Sequence, residues 1–237
     1  MQIALNGQTI DEIAIDRIQA FVPPEGYYLA FSGGKDSVVL YDLTQRAGVA
    51  FDAHYSVSPI DPPEIYRFIK EHYPTVAWDI YARHFWKLVS TKGLPLRTTR
   101  WCCEEIKEAG GNGRCVLLGI RWAESNRRRS RGIVEACTTG KGKRFVNPII
   151  DWSDADIWQY IRERQLPYCS LYDEGYKRLG CVLCPFVHDT KRAIARWPKI
   201  SNNWKAAAYR YWQKRRDSDK PLTDATPTDY WQWWLRR

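Results

Sequence analysis

Along the first 150 residues the apolar positions switch repeatedly between a helical period and short continuous runs. Ile10, Ile13, Ile18, Phe21 and Val22 recur at helical spacing, and Thr9 followed by Glu12 writes the capping box that opens such a helix. Pro23-Pro24-Glu25-Gly26 closes it near Phe21. Tyr27 to Phe31 is a short aromatic-rich apolar run, followed by a glycine turn and a helical pattern over 38–46 that Gly48 terminates. The alternation continues with a strand over 49–57, a helix over 63–72 opened by Pro63 and Glu64, and a strand over 76–81. Helices are predicted over 84–91 and 99–109, and the run CVLLGI at 115–120 suits a strand buried on both faces. Strands alternating with helices predict a mostly parallel sheet covered by helices.

Beyond Asn147-Pro148 the pattern changes. Ser153 with Asp156 caps a helix over 154–164, a Pro/Gly-punctuated segment carries the last cysteines, and the remainder reads as helix. The chain divides into an N-terminal helix (1–24), an α/β domain (25–150), a cysteine-bearing segment packed on it (151–190) and a helical tail (191–237). No internal repeat is visible.

Charge separates these parts further. The 237 residues hold 36 Lys and Arg against 27 Asp and Glu, a formal +9. From Lys191 to Arg237 there are 12 basic and 4 acidic residues, so the tail holds nearly all of the excess. It also contains Trp197, Trp204, Trp212, Trp231, Trp233 and Trp234, half of the 12 tryptophans. Cations interleaved with Trp combine phosphate neutralisation with stacking faces, which points to nucleic acid as a partner; packing of the Trp side chains on the sheet is the competing explanation, favoured for Trp204 and Trp212. A second basic run spans Arg121 to Arg144, with eight cations against Glu124 and Glu135. No apolar run reaches membrane-spanning length and the N-terminus lacks signal-peptide features, so a soluble cytoplasmic protein is expected.

Ser32-Gly33-Gly34-Lys35-Asp36-Ser37 lies between a predicted strand and a predicted helix. Glycines there let backbone N–H groups form a concave anion nest, and the helix N-terminus adds its positive dipole end. The spacing is neither Walker A nor GxGxxG. A tight turn with an ordinary cap would explain the glycines and serine, but not a Lys and an Asp in the same turn.

Cys102-Cys103 and Cys181-Val182-Leu183-Cys184 form a CC…CxxC set. Adjacent residues cannot easily place two thiolates on one tetrahedral ion, whereas a cubane offers a separate iron to each. A [4Fe-4S] cluster therefore fits better than zinc or unliganded thiols, which remain the alternatives. Cys115, Cys137 and Cys169 lack such spacing, and Cys115 opens a predicted core strand. His54, His72, His84 and His188 show no ligand spacing and read as surface or packed residues.

With SGGKDS at 32–37, TTRWCCEEIK at 98–107, LLGIRWAESNRRR at 117–129 and the stretch 147–185, the chain resembles the iron–sulfur branch of the PAPS reductase family. That family belongs to the PP-loop adenine nucleotide alpha hydrolases. The resemblance implies an α/β fold with a doubly wound, Rossmann-like, mostly parallel sheet, here followed by a helical C-terminal region. It also implies ATP or a related adenine nucleotide at Ser32, Gly33, Gly34, Lys35, Asp36 and Ser37, with Lys35 neutralising the leaving pyrophosphate and Asp36 placing Mg²⁺. Arg121, Ser125, Arg127 and Arg128 would line the phosphate or sulfonate side, which suits a guanidinium fork; Lys35, Asp36 and Arg121 are the catalytic candidates. Cys102, Cys103, Cys181 and Cys184 would hold the cluster.

The sequence departs from the sulfonucleotide reductases in two ways. No cysteine follows Cys184, where those enzymes carry their attacking thiol, and Val57-Ser58-Pro59 stands where many have Asp-Thr-Gly. The lysine in SGGKDS resembles the ATP-using members, including the iron–sulfur subunit of DNA phosphorothioation. Three functions follow: adenylylation of an acceptor with pyrophosphate release for sulfur transfer, with a sulfur donor protein as a partner; reduction of adenylyl sulfate or PAPS; or a nucleic-acid-binding iron–sulfur regulatory module. Oligomeric state is left open, a homodimer being compatible.

Overall fold

The computed structural model describes residues 7–136, 141–186, 189–216, 218 and 222–236. Cys137 and His188 lie outside the described residues. The chain forms two compact units, each built from separated stretches. Unit 1 comprises Met1–Ser56, Pro63–Asp79 and Gly110–Leu179; unit 2 comprises Val57–Pro62, Ile80–Ala109 and Gly180–Arg237.

Unit 1 carries a six-stranded sheet: β1 (Tyr27–Ala30), β2 (Phe51–Ser56), β3 (Ala77–Asp79), β4 (Cys115–Leu117), β5 (Val134–Ala136) and β6 (Arg144–Val146). The strand order is β3-β2-β1-β4-β6-β5, all pairings being parallel except β5 with β6. Its helices are α1 (Ile10–Ala20), α2 (Lys35–Arg46), α3 (Pro63–His72), α6 (Asn126–Arg129) and α7 (Asp154–Glu163). Unit 2 is helical, with α4 (Phe85–Lys92), α5 (Trp101–Glu105), α8 (Thr190–Arg196), α9 (Pro198–Arg216) and α10 (Pro227–Leu235). The parallel α/β architecture and the helical C-terminal region thus match the expectation. Among the described residues no helix is long and apolar enough to cross a membrane.

Local chemistry explains most boundaries. Thr9 and Glu12 form the expected capping box, Glu12 accepting from the Thr9 N–H at 2.8 Å. Ser153 and Asp156 do the same at α7. The glycine turn is tighter than expected, because α2 starts at Lys35 and takes Lys35 and Asp36 into its first turn. β5 and β6 are additional strands of three residues each, too short to leave a periodic signal. The helix expected over 99–109 stops at Glu105. Ile106 turns in to bury itself, 1% exposed, and Lys107 reaches Asp61 Oδ2 at 2.8 Å; burial and a charge pair override helix propensity there.

In unit 2 the tail tryptophans form core. Trp197, Trp204, Trp212, Trp231 and Trp234 are buried, Trp204 to 1% exposure. Phe85 and Trp86 meet the Trp204 ring edge-on, and Trp234 lies 5.1 Å from it. Three of the N–H groups are satisfied inside the unit by backbone carbonyls: Trp204 donates to that of Val182, Trp212 to that of Asp224 and Trp234 to that of Pro95. Packing, the explanation favoured for Trp204 and Trp212, holds for both, and the stacking surface expected of Trp197, Trp231 and Trp234 is corrected to packing, as an amphipathic ring buries its face once its N–H finds a partner.

Candidate functional site

The parallel order in unit 1 reverses beside β1, which pairs with β2 on one side and β4 on the other. The loops leaving the carboxyl ends of β1 and β4 flank the crevice that such a reversal opens, the general place for a ligand in open α/β sheets. The β1 loop is Phe31–Gly34, and the β4 loop leads through Gly119 to Arg121.

Glycine is required once in each loop, at Gly33 and at Gly119. Gly33 has φ +71°, and a Cβ there would sit 3.0 Å from Ile65 Cγ2 and 3.1 Å from Ile69 Cδ1. Gly34 is the N-cap of α2, so the first N–H groups of that helix open toward the loop. A Cβ on Gly119 would meet the Asp36 carbonyl at 3.0 Å, so this glycine lets β4's exit press against the first turn of α2. Ser32 and Ser37 close the turn through their hydroxyls, 3.2 Å apart, and Ser37 donates to the Gly34 carbonyl at 2.8 Å.

Four charges interlock here. Arg121, 2% exposed, donates from Nε to Asp36 Oδ1 at 2.6 Å, from Nη2 to Asp154 Oδ1 at 3.0 Å and from Nη1 to the Trp152 carbonyl at 3.1 Å. Lys35, also buried, places Nζ 3.1 Å from Asp154 Oδ1 and 3.5 Å from Asp36 Oδ2. Burial alone would raise the Asp154 carboxyl, but Lys35 and Arg121 outweigh it and hold the group below the ordinary carboxylate range. Arg128 is lowered to about 10, first by burial and then by the guanidinium of Arg178, with Arg131 and Arg121 adding to the repulsion and Asp36 opposing it. Such a gathering of cations is the field that an anion relieves.

Lys35, Asp36 and Arg121 are thus brought into one network with the loop. Ser125 caps α6, whose Arg128 also pairs with Glu124, while Arg127 is exposed on that helix. Two further residues belong to the site. Asp154, legible in sequence only as the first residue of a helix, bridges both cations. Tyr172 accepts the Lys35 N–H at 2.9 Å, and its ring stands 5.9 Å from Lys35 Nζ. Burial raises the Tyr172 hydroxyl well above its usual range, the nearby Asp36, Cys169 and Asp154 adding to the effect against the Lys35 N–H. No local signal ties Tyr172 to a loop 137 residues away.

The four motif cysteines all lie in unit 2. Cys102 and Cys103 share a hydrogen bond that raises Cys102 and lowers Cys103 to about 7, the latter helped by Arg100 and Lys107 against burial. Burial and the thiols of Cys103, Cys181 and Cys184 raise Cys102 further. Cys181 is raised by burial first and then by Asp61 and Cys184. Leu183, between the CxxC cysteines, is 2% exposed yet holds φ +59°, a left-handed conformation that a non-glycine residue adopts at a cost. The segment is braced by Val182 N–H on the Ile60 carbonyl, 2.6 Å, and by Arg97 Nε on Pro185, 2.8 Å. Among the described residues no three His, Cys, Asp or Glu side chains converge on a common point as one metal ion requires.

Residues 26–187 match the phosphoadenosine phosphosulfate reductase domain family. The chain belongs to that family. An adenosine 5'-phosphosulfate reductase of Staphylococcus epidermidis is 33% identical over 194 residues, covering 72% of the chain and 75% of the relative. A Methanocaldococcus jannaschii protein, MJ0066, is 29% identical over 201 residues, covering 78% of the chain and 42% of the relative. A second protein of that organism is matched over 51% of its length, so the chain spans about half of these two relatives. Among solved structures, PAPS reductase from Candida auris aligns at TM-score 0.54 with 18% identity, covering 76% of the chain and 97% of that protein. FMN adenylyltransferase from Candida glabrata aligns at 0.51 with 17% identity, covering 76% and 68%. At these identities the two structures speak for the fold alone. The sequence relative is named as an enzyme, and the match across the glycine loop, the cysteines and the Arg-rich motif agrees with the expected membership.

Proposed function

We propose that the chain is an enzyme that binds ATP, or a related adenine nucleotide, at Ser32–Ser37 and transfers its adenylyl group with release of pyrophosphate. The observation that carries this reading is the glycine loop at the head of α2 standing with Lys35 and Arg121 at the point where the sheet order reverses. An acceptor oxygen attacks the α-phosphorus, the bond from that phosphorus to the α–β bridging oxygen breaks, the leaving pyrophosphate takes the electron pair, and a proton on the acceptor oxygen passes to solvent. Such a step needs fixed positive charge on the leaving group more than a nucleophilic side chain. Lys35 and the α2 N-terminus supply that charge, while Arg121 holds Asp36 in place. Asp36 and Asp154 are the carboxylates suited to Mg²⁺, a hard cation that favours oxygen ligands.

The donor set of unit 2 fits a [4Fe-4S] cluster. Four thiols lie in one braced region, one of them near neutrality, and the buried Trp101 Nε1 beside Cys102 has no hydrogen-bond partner among the described residues. A bound cluster would offer sulfide acceptors to such a donor, and its chemistry would be electron transfer or sulfur delivery to the adenylylated acceptor. A sulfur donor protein is the partner this implies.

Reduction of adenylyl sulfate is the second reading, favoured by the Staphylococcus epidermidis relative's name. Residues 185–237 contain no cysteine; of the other three candidate nucleophiles, Cys115 and Cys169 are 3% and 1% exposed with thiols raised by burial, poor attacking groups, and Cys137 lies outside the described residues. Anaerobically purified protein should carry about four irons per chain if a cubane is bound, and should form pyrophosphate from ATP when offered acceptors. Lys35→Met should reduce that rate by about 100-fold or more. Sulfite release from adenylyl sulfate without pyrophosphate formation from ATP overturns the first reading in favour of the second.

A further inference from the structure

Helices α8 and α9 carry Lys191, Arg192, Arg196, Lys199, Lys205, Arg210, Lys214, Arg215 and Arg216, and residues 190–216 contain no Asp or Glu. The burial pattern sorts α9 into two faces. Ser201, Trp204, Ala207, Ala208 and Trp212 point inward. Lys199, Asn203, Ala206, Arg210 and Gln213, successively three or four residues apart, are exposed, as is Lys214, four residues past Arg210, and so they form one outward row. Arg210 is tethered to α4 by Nε donating to Ser90 Oγ at 3.2 Å. From Lys199 to Lys214 the row runs about 22 Å, at 1.5 Å per residue.

We infer that the outward row of α9, with the cations of α8, is a docking face for the phosphate backbone of double-stranded nucleic acid. Three observations select this partner. The row holds cations and amide side chains with no carboxylate, complementary to closely spaced phosphates and to the sugar edges that amides contact. It has no aromatic residue, and five tail tryptophans that would serve a single strand as stacking platforms are buried. It has no apolar anchor beyond Ala206, whereas a helix that lies on a membrane presents an apolar face to the lipid. Recognition of this kind reads charge spacing and no base edge, so it is sequence-independent. The inference rests on α8 and α9 alone and stands whether or not the nucleotide loop performs adenylyl transfer.

The test is fluorescence anisotropy of the full-length protein with a labelled duplex of about 20 base pairs, titrated between about 50 and 200 mM salt. Matched arms use the separated single strand and phosphatidylserine vesicles. Duplex affinity is expected to fall steeply with salt and to be insensitive to sequence. Each lost phosphate contact lowers the log–log slope by about 0.9, so Lys199→Gln/Arg210→Gln/Lys214→Gln should lower it by about 2 to 3. Arg67→Gln/Lys70→Gln, exposed on α3, should leave it unchanged. The inference is overturned by no salt-dependent duplex binding, by an unchanged slope in the triple variant, by stronger binding to the single strand, or by binding to vesicles in preference to DNA. The row's residues are exposed, and a circular dichroism melt matching the wild type shows that the triple variant is folded.

Discussion

Replacing Arg121 by Met keeps the stem of the side chain and removes its guanidinium from a site that is 2% exposed. Three hydrogen bonds go with it. The bond to Asp36 is charge-assisted and mostly buried, worth about 1.5–3 kcal/mol. That to Asp154 counts for less, because the carboxylate is 62% exposed and water screens it; about 0.5 kcal/mol is reasonable. The bond to the Trp152 carbonyl adds about 1 kcal/mol. Together these give a loss of about 3–4.5 kcal/mol, within the range for breaking a buried pair. At this chain length the loss corresponds to a fall in Tm of roughly 6–18 °C. Denaturant unfolding followed by far-ultraviolet circular dichroism should show a lower midpoint with an unchanged slope. The network also predicts coupling: Lys35→Met and Arg121→Met share Asp36 and Asp154, so their effects should depart from additivity by more than about 0.5 kcal/mol. A loss below about 1 kcal/mol, or additivity within error, would refute the claim that Arg121 organises this corner.

Further outcomes follow from other features. Gly33→Ala should cost at least about 1–2 kcal/mol in stability for the left-handed backbone, and weaken adenine nucleotide binding in a calorimetric titration, because its Cβ crowds Ile65 and Ile69. Trp204→Ala should destabilise unit 2 by about 3–5 kcal/mol, and Trp204→Phe by about 1 kcal/mol for the bond to Val182, both measurable as midpoint shifts. Burial works to raise Asp11, yet its bonds with Thr9 and Arg46 hold it below its ordinary 3.8. The folded pKa is depressed, so this stabilisation is complete above 3.8 and fades as the pH falls through the folded value; Asp11→Asn should flatten the acid limb of a stability–pH profile.

Where capping and period agree, the chain is readable from its letters. The helix over 63–72 has its sequence-expected ends because Pro63 and Glu64 suit a first turn and the apolar spacing is strong. The glycine loop was equally visible, since Gly33 carries a positive φ that few other residues accept. What stayed hidden depends on distance along the chain. Asp154 and Tyr172 reach the loop from 119 and 137 residues away through side chains with no local pattern. The tail tryptophans show the same limit in reverse: spacing alone does not say whether a ring meets a base or a neighbouring helix, and here Phe85, Trp86 and Trp234 surround Trp204.

The threading of unit 2 through three stretches bears on how the protein is made and cut. At about 5–20 residues per second, the ribosome delivers Trp204 about 5–20 s after Trp101. Until then the apolar side of α4 has no partner from α9, and Cys102 is without its neighbours Cys181 and Cys184. A nascent or shortened chain ending near residue 198 is therefore an exposed hydrophobic fragment, a candidate for chaperones or proteases. Removing the basic C-terminal stretch takes away the interior of a unit along with its charge. Substitution at the surface separates these two effects, and deletion confounds them.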